Sequence, residues 1–189
     1  HAFEHSLEVH LPFLQRLLDD FTLVPLAVGH AAPEAVAEIL DKLWGGPETL
    51  IVVSSDLSHF LPYGTARQVD SNTCQHILQL DTHIRPEQAC GAFPVNGLLL
   101  TAQRRGLKPT LLAHCNSGDT AGDKDRVVGY AAFAFNEEAR EPGGVEDIVV
   151  GALLAAGERQ RVLQLVEEAL GLGAGLLDLE DHAAADVRL

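Results

Sequence analysis

The groups in this sequence best placed to do chemistry are Asp56 and His59, in the stretch LIVVSSDLSHF from Leu50 to Phe60. They are three residues apart, so they face one another if the chain coils after Ser55. A carboxylate beside an imidazole fixes its tautomer and raises its basicity, which serves a general base and a metal ligand equally. The plainer reading is that Ser55 or Asp56 caps a helix and His59 is a surface residue. Three further clusters stand out: Glu4-His5-Ser6-Leu7-Glu8 with His10 beyond, Cys90-Gly91, and Ser117-Gly118-Asp119. Cys90 offers a thiolate as ligand or nucleophile, or is a small buried apolar residue. His5 and His10 are five apart and do not share a helix face, whereas Glu8 is three from His5 and does. Ser117-Gly118-Asp119 reads as a turn, with glycine free to take positive φ and aspartate bonding locally. His76, His83 and His114 read as structural.

The elements that must position these groups follow from periodicity and punctuation. A short run of Leu50, Ile51, Val52 and Val53 that ends in polar residues predicts a buried strand emptying into a site. In open α/β sheets ligands bind at the carboxyl ends of strands. A helix is expected from near Pro12, and a strand over Phe21 to Val28 despite Pro25. Pro33 to Trp44 reads as a helix with Val36, Ile39, Leu40 and Leu43 on one face. Further helices are expected over Gly64–Leu80, over Pro86–Ala89 as a short piece, and over Val95–Arg105, which Gly106 closes. Thr110–His114 and Val127–Phe135 read as strands joined by a loop too short for a helix, and so pair antiparallel. Helices alternating with buried strands mean an α/β sheet covered by helices.

Composition narrows the function. The 189 residues are 47% hydrophobic, enough for a real core, and carry 27 acidic against 13 basic residues, for a formal net charge of -14. Such a chain repels phosphate backbones and anionic lipid, so neither nucleic acid nor membrane is an expected partner. No apolar run reaches about 18 residues, as a membrane span requires. Cys74, Cys90 and Cys115 are odd in number and widely spaced, which is no disulfide framework and suits a reducing, cytoplasmic setting. The absence of methionine and the start at His1 mark the chain as a fragment. Residues 1–136 read as one unit and 137–146 as a charged, Pro- and Gly-rich linker. Residues 147–189 open a second, mostly helical segment, with Glu158–Leu170 amphipathic. The glycines at 171, 173 and 175 follow a helix rather than a strand, so they read as a helix stop and not as a dinucleotide loop.

Taken together, four motifs become specific: Glu4-His5-Ser6-Leu7-Glu8-Val9-His10-Leu11-Pro12-Phe13, then VVSSDLSHF, then CGAFPVNGLLL from Cys90, then SGDTAGDKDRVVGYAA from Ser117. In this order they resemble the MEMO family, which is similar in fold to the class III extradiol dioxygenases. The resemblance implies a three-layer α/β/α fold with a mixed, mostly parallel central sheet, of which the N-terminal part is missing here. It implies a small pocket holding iron or copper on two histidines and a cysteine, and Cys90 resembles that cysteine. Asp56 and His59 resemble the family's pocket residues, and His5 resembles the histidine of its EHS motif. That makes His59, Asp56 and His5 the expected catalytic groups. The two metal histidines belong to segments similar to APHAGY and to a Pro-Ser-His run, and this chain has neither. The site is therefore expected to be incomplete within it. A thiolate ligand departs from the two-histidine, one-carboxylate set of ring-cleaving oxygenases, so redox chemistry on iron or copper is the softer expectation. The alternative is a non-catalytic module that binds a peptide or small molecule. From about residue 145 the chain resembles the start of an AMMECR domain. AMMECR-domain and radical SAM proteins are the partners this implies.

Overall fold

A computed structural model describes residues 6–18, 20–46, 48–120, 123–136 and 149–151. Within these residues, periodicity and punctuation build four helices. Helix α1 spans Leu11–Leu17, with proline in its first turn, and α2 spans Pro33–Leu43 and opens on Pro33. Proline is accommodated in a first turn, where its missing N–H has no helical acceptor. Helix α3 covers Tyr63–Leu78 and α4 covers Ala92–Arg105, with Gly106 closing α4 in the left-handed region at φ 71°. The helix expected from Val95 thus starts three residues earlier, because Pro94 also fits a first turn. Pro86–Ala89 forms a turn rather than a helix, with the Gln88 and Ala89 amides both donating to the Arg85 carbonyl.

The sheet is built around its longest strand. Strands β1 (His59–Leu61), β2 (Lys108–Asn116), β3 (Val127–Asn136) and β4 (Val149–Gly151) follow in chain order, and β3 pairs with each of the other three. Along β3 the residues at 131 to 135 are all buried, as an interior strand requires. The β2–β3 ladder runs from Lys108 opposite Asn136 to Asn116 opposite Gly129, with a bulge between Leu111 and Ala113. Every ladder among the described residues is antiparallel, including the β2–β3 pair expected to be so. The parallel part of the expected sheet rested on Phe21–Val28 and Leu50–Ser54. Both are outside helices and ladders among the described residues. A strand exists only where a second backbone satisfies its N–H and C=O groups, and propensity alone does not supply one. Leu23, Val24 and Leu26 are accordingly exposed. Strand β4 falls inside the segment expected to open a second unit, and Glu158–Leu170 lies outside the described residues.

The core lies between α4, α2, α3 and the face of β3. Leu99, Ala102 and Ala92 of α4 are fully buried and meet Val36 and Leu40 of α2 and Phe133 and Phe135 of β3. One buried polar residue fixes the approach to Cys90. The Asn96 side chain of α4 accepts from the Ile84 amide at 2.9 Å and donates to the Ile84 carbonyl at 2.8 Å, which closes both backbone groups of a residue only 3% exposed. Removing it leaves two buried groups unpaired, each worth the desolvation of an unmet hydrogen bond. Asn96→Ala is expected to cost about 2–4 kcal/mol of stability in urea denaturation, and to speed amide exchange over residues 84–90.

Candidate functional site

The site begins where the apolar run of residues 50–53, buried only at Val53, ends. Beyond it, residues 54–56 lie against residues 90–91 at the entrance of α4, and the two segments are laced by their backbones. The Cys90 amide donates to the Asp56 carbonyl at 3.1 Å, and the Asp56 amide donates to Cys90 Sγ at 3.1 Å. The Gly91 amide donates to Ser55 Oγ at 2.9 Å, and that hydroxyl donates to the Asp56 carbonyl at 2.8 Å. This approach is open only to glycine: a Cβ on residue 91 would lie 2.6 Å from the Ser54 carbonyl oxygen and 2.7 Å from Ser55 Cβ. On the other flank Ser54 Oγ donates to the Ser6 carbonyl at 3.3 Å, which brings the turn before α1 to the same segment.

Asp56, His59 and Cys90 converge here. Their ligand atoms all lie within 4.8 Å of one another. The spacing of Asp56 and His59 suggested a helical turn, but the chain stays outside any helix and His59 opens β1, opposite Val128. The two side chains still meet, with His59 Nε2 3.4 Å from Asp56 Oδ2. The imidazole is oriented by its other nitrogen, Nδ1, which lies 3.0 Å from the Leu57 carbonyl oxygen. A carbonyl oxygen only accepts, so Nδ1 carries the proton. In neutral His59, Nε2 then presents a lone pair to the carboxylate, and Cys90 sulfur stands beside both. Electron-pair donors gathered this closely call for a proton or a cation between them.

The site is open to solvent: the Asp56 side chain is 41% exposed, His59 35%, and Cys90 is exposed. Partial burial nonetheless pushes the Asp56 carboxyl above its ordinary value, against the opposing pull of His59. Tyr130 on β3 carries a phenol pushed upward by burial and then by the charges of Asp56 and Cys115, which places it in electrostatic reach of the site. Phe60, at φ 58°, is in the left-handed region that side chains rarely adopt. Its ring is 59% exposed, meets the His59 ring edge-on at 5.7 Å, and has the Arg126 guanidinium 4.9 Å from its centroid.

Comparison with known proteins settles the kinship. A family model described as Memo-like protein matches residues 1–134. The chain belongs to the Memo-like family. It is 36% identical over 150 residues to a MEMO1 family protein of Sulfolobus acidocaldarius, covering 72% of this chain and 53% of that relative. It is 37% identical over 147 residues to a MEMO1 family protein of Methanosarcina mazei, covering 70% and 55%. A MEMO1 family protein of Metallosphaera sedula is 31% identical over 150 residues. The Memo-like chain thus spans about half the length of the curated relatives it matches.

The other expected site residues distribute as follows. His5 lies outside the described residues. His10 is buried, its pKa is lowered by that burial, and its Nε2 has no partner among the described residues. Ser117-Gly118-Asp119 is a turn, as expected: a short 3-10 helix with a capping box, in which the Asn116 side chain accepts from Gly118 and Asp119 accepts from the Asn116 amide. His76 and His83 both reach Asp81, at 3.0 and 2.7 Å, on the surface. Sequence reasoning reads Ser55 only as a helix cap, whereas it accepts from the Gly91 amide. It does not single out the buried Asp70, although the spacing of that residue from Ala66 and Thr73 sets it on the inward face of α3.

The three cysteines differ sharply in setting, and this can be measured. Cys74 is 2% exposed, and burial, reinforced by the neighbouring Asp70 charge, pushes its thiol from 9.0 up to about 12. In the unfolded chain that thiol ionises near its ordinary value, so between pH 9 and 12 the folded state holds more protons. Its stabilising contribution is therefore whole below about pH 9 and is lost as pH rises toward 12, at up to about 1.4 kcal/mol per pH unit. The Cys74→Ala variant is expected to lack this slope in denaturation at pH 8 to 11. Iodoacetamide is expected to modify Cys90 in the native protein while Cys74 reacts only on unfolding, read by peptide mass spectrometry.

Proposed function

We propose that Asp56, His59 and Cys90 line a metal-centred pocket, in which the Cys90 thiolate is a ligand, His59 moves a proton at Nε2, and Asp56 stands beside that nitrogen to share the proton. The observation that carries this reading is the convergence of three potential ligand atoms within 4.8 Å, with Nε2 and Oδ2 3.4 Å apart. The chemistry fits the group: a soft sulfur to bind it, and beside that sulfur a carboxylate and an imidazole tied back through Nδ1 to a carbonyl. Iron or copper, when bound, supplies redox chemistry or polarises a ligand. The protein's own part is to hold Cys90 sulfur under the Asp56 amide, to keep Nδ1 protonated against Leu57, and so to leave Nε2 free to take or give a proton. His5 belongs to the same reading, as a third catalytic group brought in by the segment before Ser6. In the intact protein the remaining strands would complete a three-layer fold with a mostly parallel central sheet, covering Phe21–Val28 and Leu50–Val53. Three free cysteines suit the cytoplasm. Among the described residues no helix is long and apolar enough to cross a membrane.

A second reading rests on Phe60 and Arg126. An exposed aromatic ring backed by a guanidinium, at the mouth of an open site, can hold a peptide or a small molecule without turning it over. The AMMECR-domain and radical SAM proteins named above are proposed partners on either reading.

Metal analysis of the intact protein separates the two. Iron or copper at one equivalent per chain is expected. Cys90→Ala is expected to lower that affinity by more than the roughly 10–100-fold that outer residues cost. Oxygen uptake with catechols then tests turnover. Metal-free protein that binds the same ligands before and after Cys90→Ala would leave the binding module standing alone.

A further inference from the structure

Behind the site, on its dry side, sits a carboxylate that the proposed chemistry does not use. Asp70 lies in the middle of α3, away from either end, so it caps nothing. It is fully buried. Its Oδ1 accepts from the Ser58 amide at 2.9 Å. Its Oδ2 has no hydrogen-bond partner among the described residues. That oxygen is aimed at Gly129 of β3, where a Cβ would stand only 1.9 Å away, so a glycine Cα–H fills the place a side chain would take. Gly129 in turn grips the same short segment: the Leu57 amide donates to its carbonyl at 2.9 Å, and its amide donates to the Ser58 carbonyl at 2.9 Å.

The consequence is geometric. Leu57 and Ser58 are the two residues between Asp56 and His59. The Leu57 amide and both backbone groups of Ser58 are fixed, three bonds in all, and each runs to Asp70 or Gly129. The Leu57 carbonyl is the one that orients the His59 ring. A buried carboxylate with an open oxygen is costly to keep, and an apolar residue of similar volume would ordinarily serve a core better. We propose that Asp70 is the positioning residue of the site: through the Ser58 amide it fixes the distance and angle between Asp56 and His59. Its effect on metal affinity rests on the metal-centred reading. Its effect on the His59 ring does not.

The test uses the intact protein with Asp70→Ala, Asp70→Asn and Gly129→Ala, and with Thr101→Ala as a control. Thr101 is a buried hydroxyl of α4 that bonds the Gly97 carbonyl within its own helix. Two quantities are read. One is the pair of His59 ring-nitrogen shifts in metal-free protein, which report its tautomer. The other is Co(II) affinity together with the sulfur-to-cobalt absorption band. Asp70→Ala and Gly129→Ala are expected to replace the single His59 tautomer with a mixture, and to weaken Co(II) binding about 10–100-fold. Asp70→Asn keeps an oxygen for Ser58 and is expected to retain most of both. Thr101→Ala is expected to lower the melting temperature and leave both unchanged. Unchanged His59 shifts in a folded Asp70→Ala protein overturn the proposal, as do equal changes in Thr101→Ala. Should Asp70→Ala fail to fold, unchanged shifts in Gly129→Ala overturn it. Cobalt binding that is absent, or that survives Cys90→Ala unaltered, defeats the metal-centred reading alone, and the metal-free His59 shifts still decide for or against Asp70.

Discussion

A side chain at residue 129 would have to displace the Asp70 carboxylate, and much of the molecule is arranged around that close approach. At this point the central strand β3 is approached from one side by the Asp70 carboxylate of α3 and is bonded through its own amide and carbonyl to residues 57 and 58. The helix, the sheet and the chemical segment are thereby held at one place with no side chain between them. On the far edge of β3 the ladder with β2 ends here too, with Asn116 opposite Gly129. The turn that follows Asn116 returns to β3 through Ser117 Oγ, which accepts from the Val128 amide at 3.1 Å. A single strand residue therefore organises the rear of the site from both flanks.

The front of the site is organised by a second close approach, between residues 54–56 and 90–91. Its hydrogen bonds are reciprocal, so neither segment can slide along the other without losing two bonds at once. The segment before Cys90 is itself pinned at Ile84 by Asn96 and at Gln88 by Thr73. Both routes lead to the two helices, α4 and α3, that carry most of the buried surface around the site. Core packing is thus passed to Cys90 and Asp56 through amides rather than through side-chain contact with the reacting groups.

The parts of this arrangement that could be read in the sequence are the local ones. An apolar β-branched run that ends in Ser, Asp and His marks a candidate site, although the run takes no ladder among the described residues, and Cys90-Gly91 marks the segment that meets it. Helices α2, α3 and α4 follow from their periodicity and from Pro33 and Gly106. The partners of each element were not legible. Phe21–Val28 has the composition of a strand yet takes no ladder among the described residues, because pairing depends on a backbone elsewhere in the chain. Asp70 lies four residues after Ala66 and three before Thr73, so helical spacing already sets it on the inward face of α3, but the sequence does not show what it meets there. Only the fold shows that Asp70 is set against Gly129. The pairing of Asp56 with His59 was foreseen for a reason that does not hold. Their spacing suits a helical turn, but what brings them together is a non-helical segment clamped at Leu57 and Ser58.

That clamp also explains why the facing side chains can be left unsatisfied. A half-exposed carboxylate–imidazole pair contributes only about 0–1 kcal/mol, too little to hold a chain segment in place. Each backbone bond in the clamp contributes about 0.5–1.5 kcal/mol, and the amide of Asp56, the amide of Cys90 and the three bonds at Leu57 and Ser58 act together. Position is therefore set largely by main-chain amides, with the Cys90 sulfur and the Asp70 carboxylate accepting two of these bonds, while the Asp56 carboxylate and His59 Nε2 are spared that task. His59 spends one nitrogen on the Leu57 carbonyl, while Oδ2 of Asp56, Nε2 of His59 and the sulfur of Cys90 keep electron pairs directed at one small space. Had the Asp56 carboxylate and the His59 Nε2 been needed to hold the segment together, they would be occupied with one another. Because the amides do that work, the donors stay available to whatever enters.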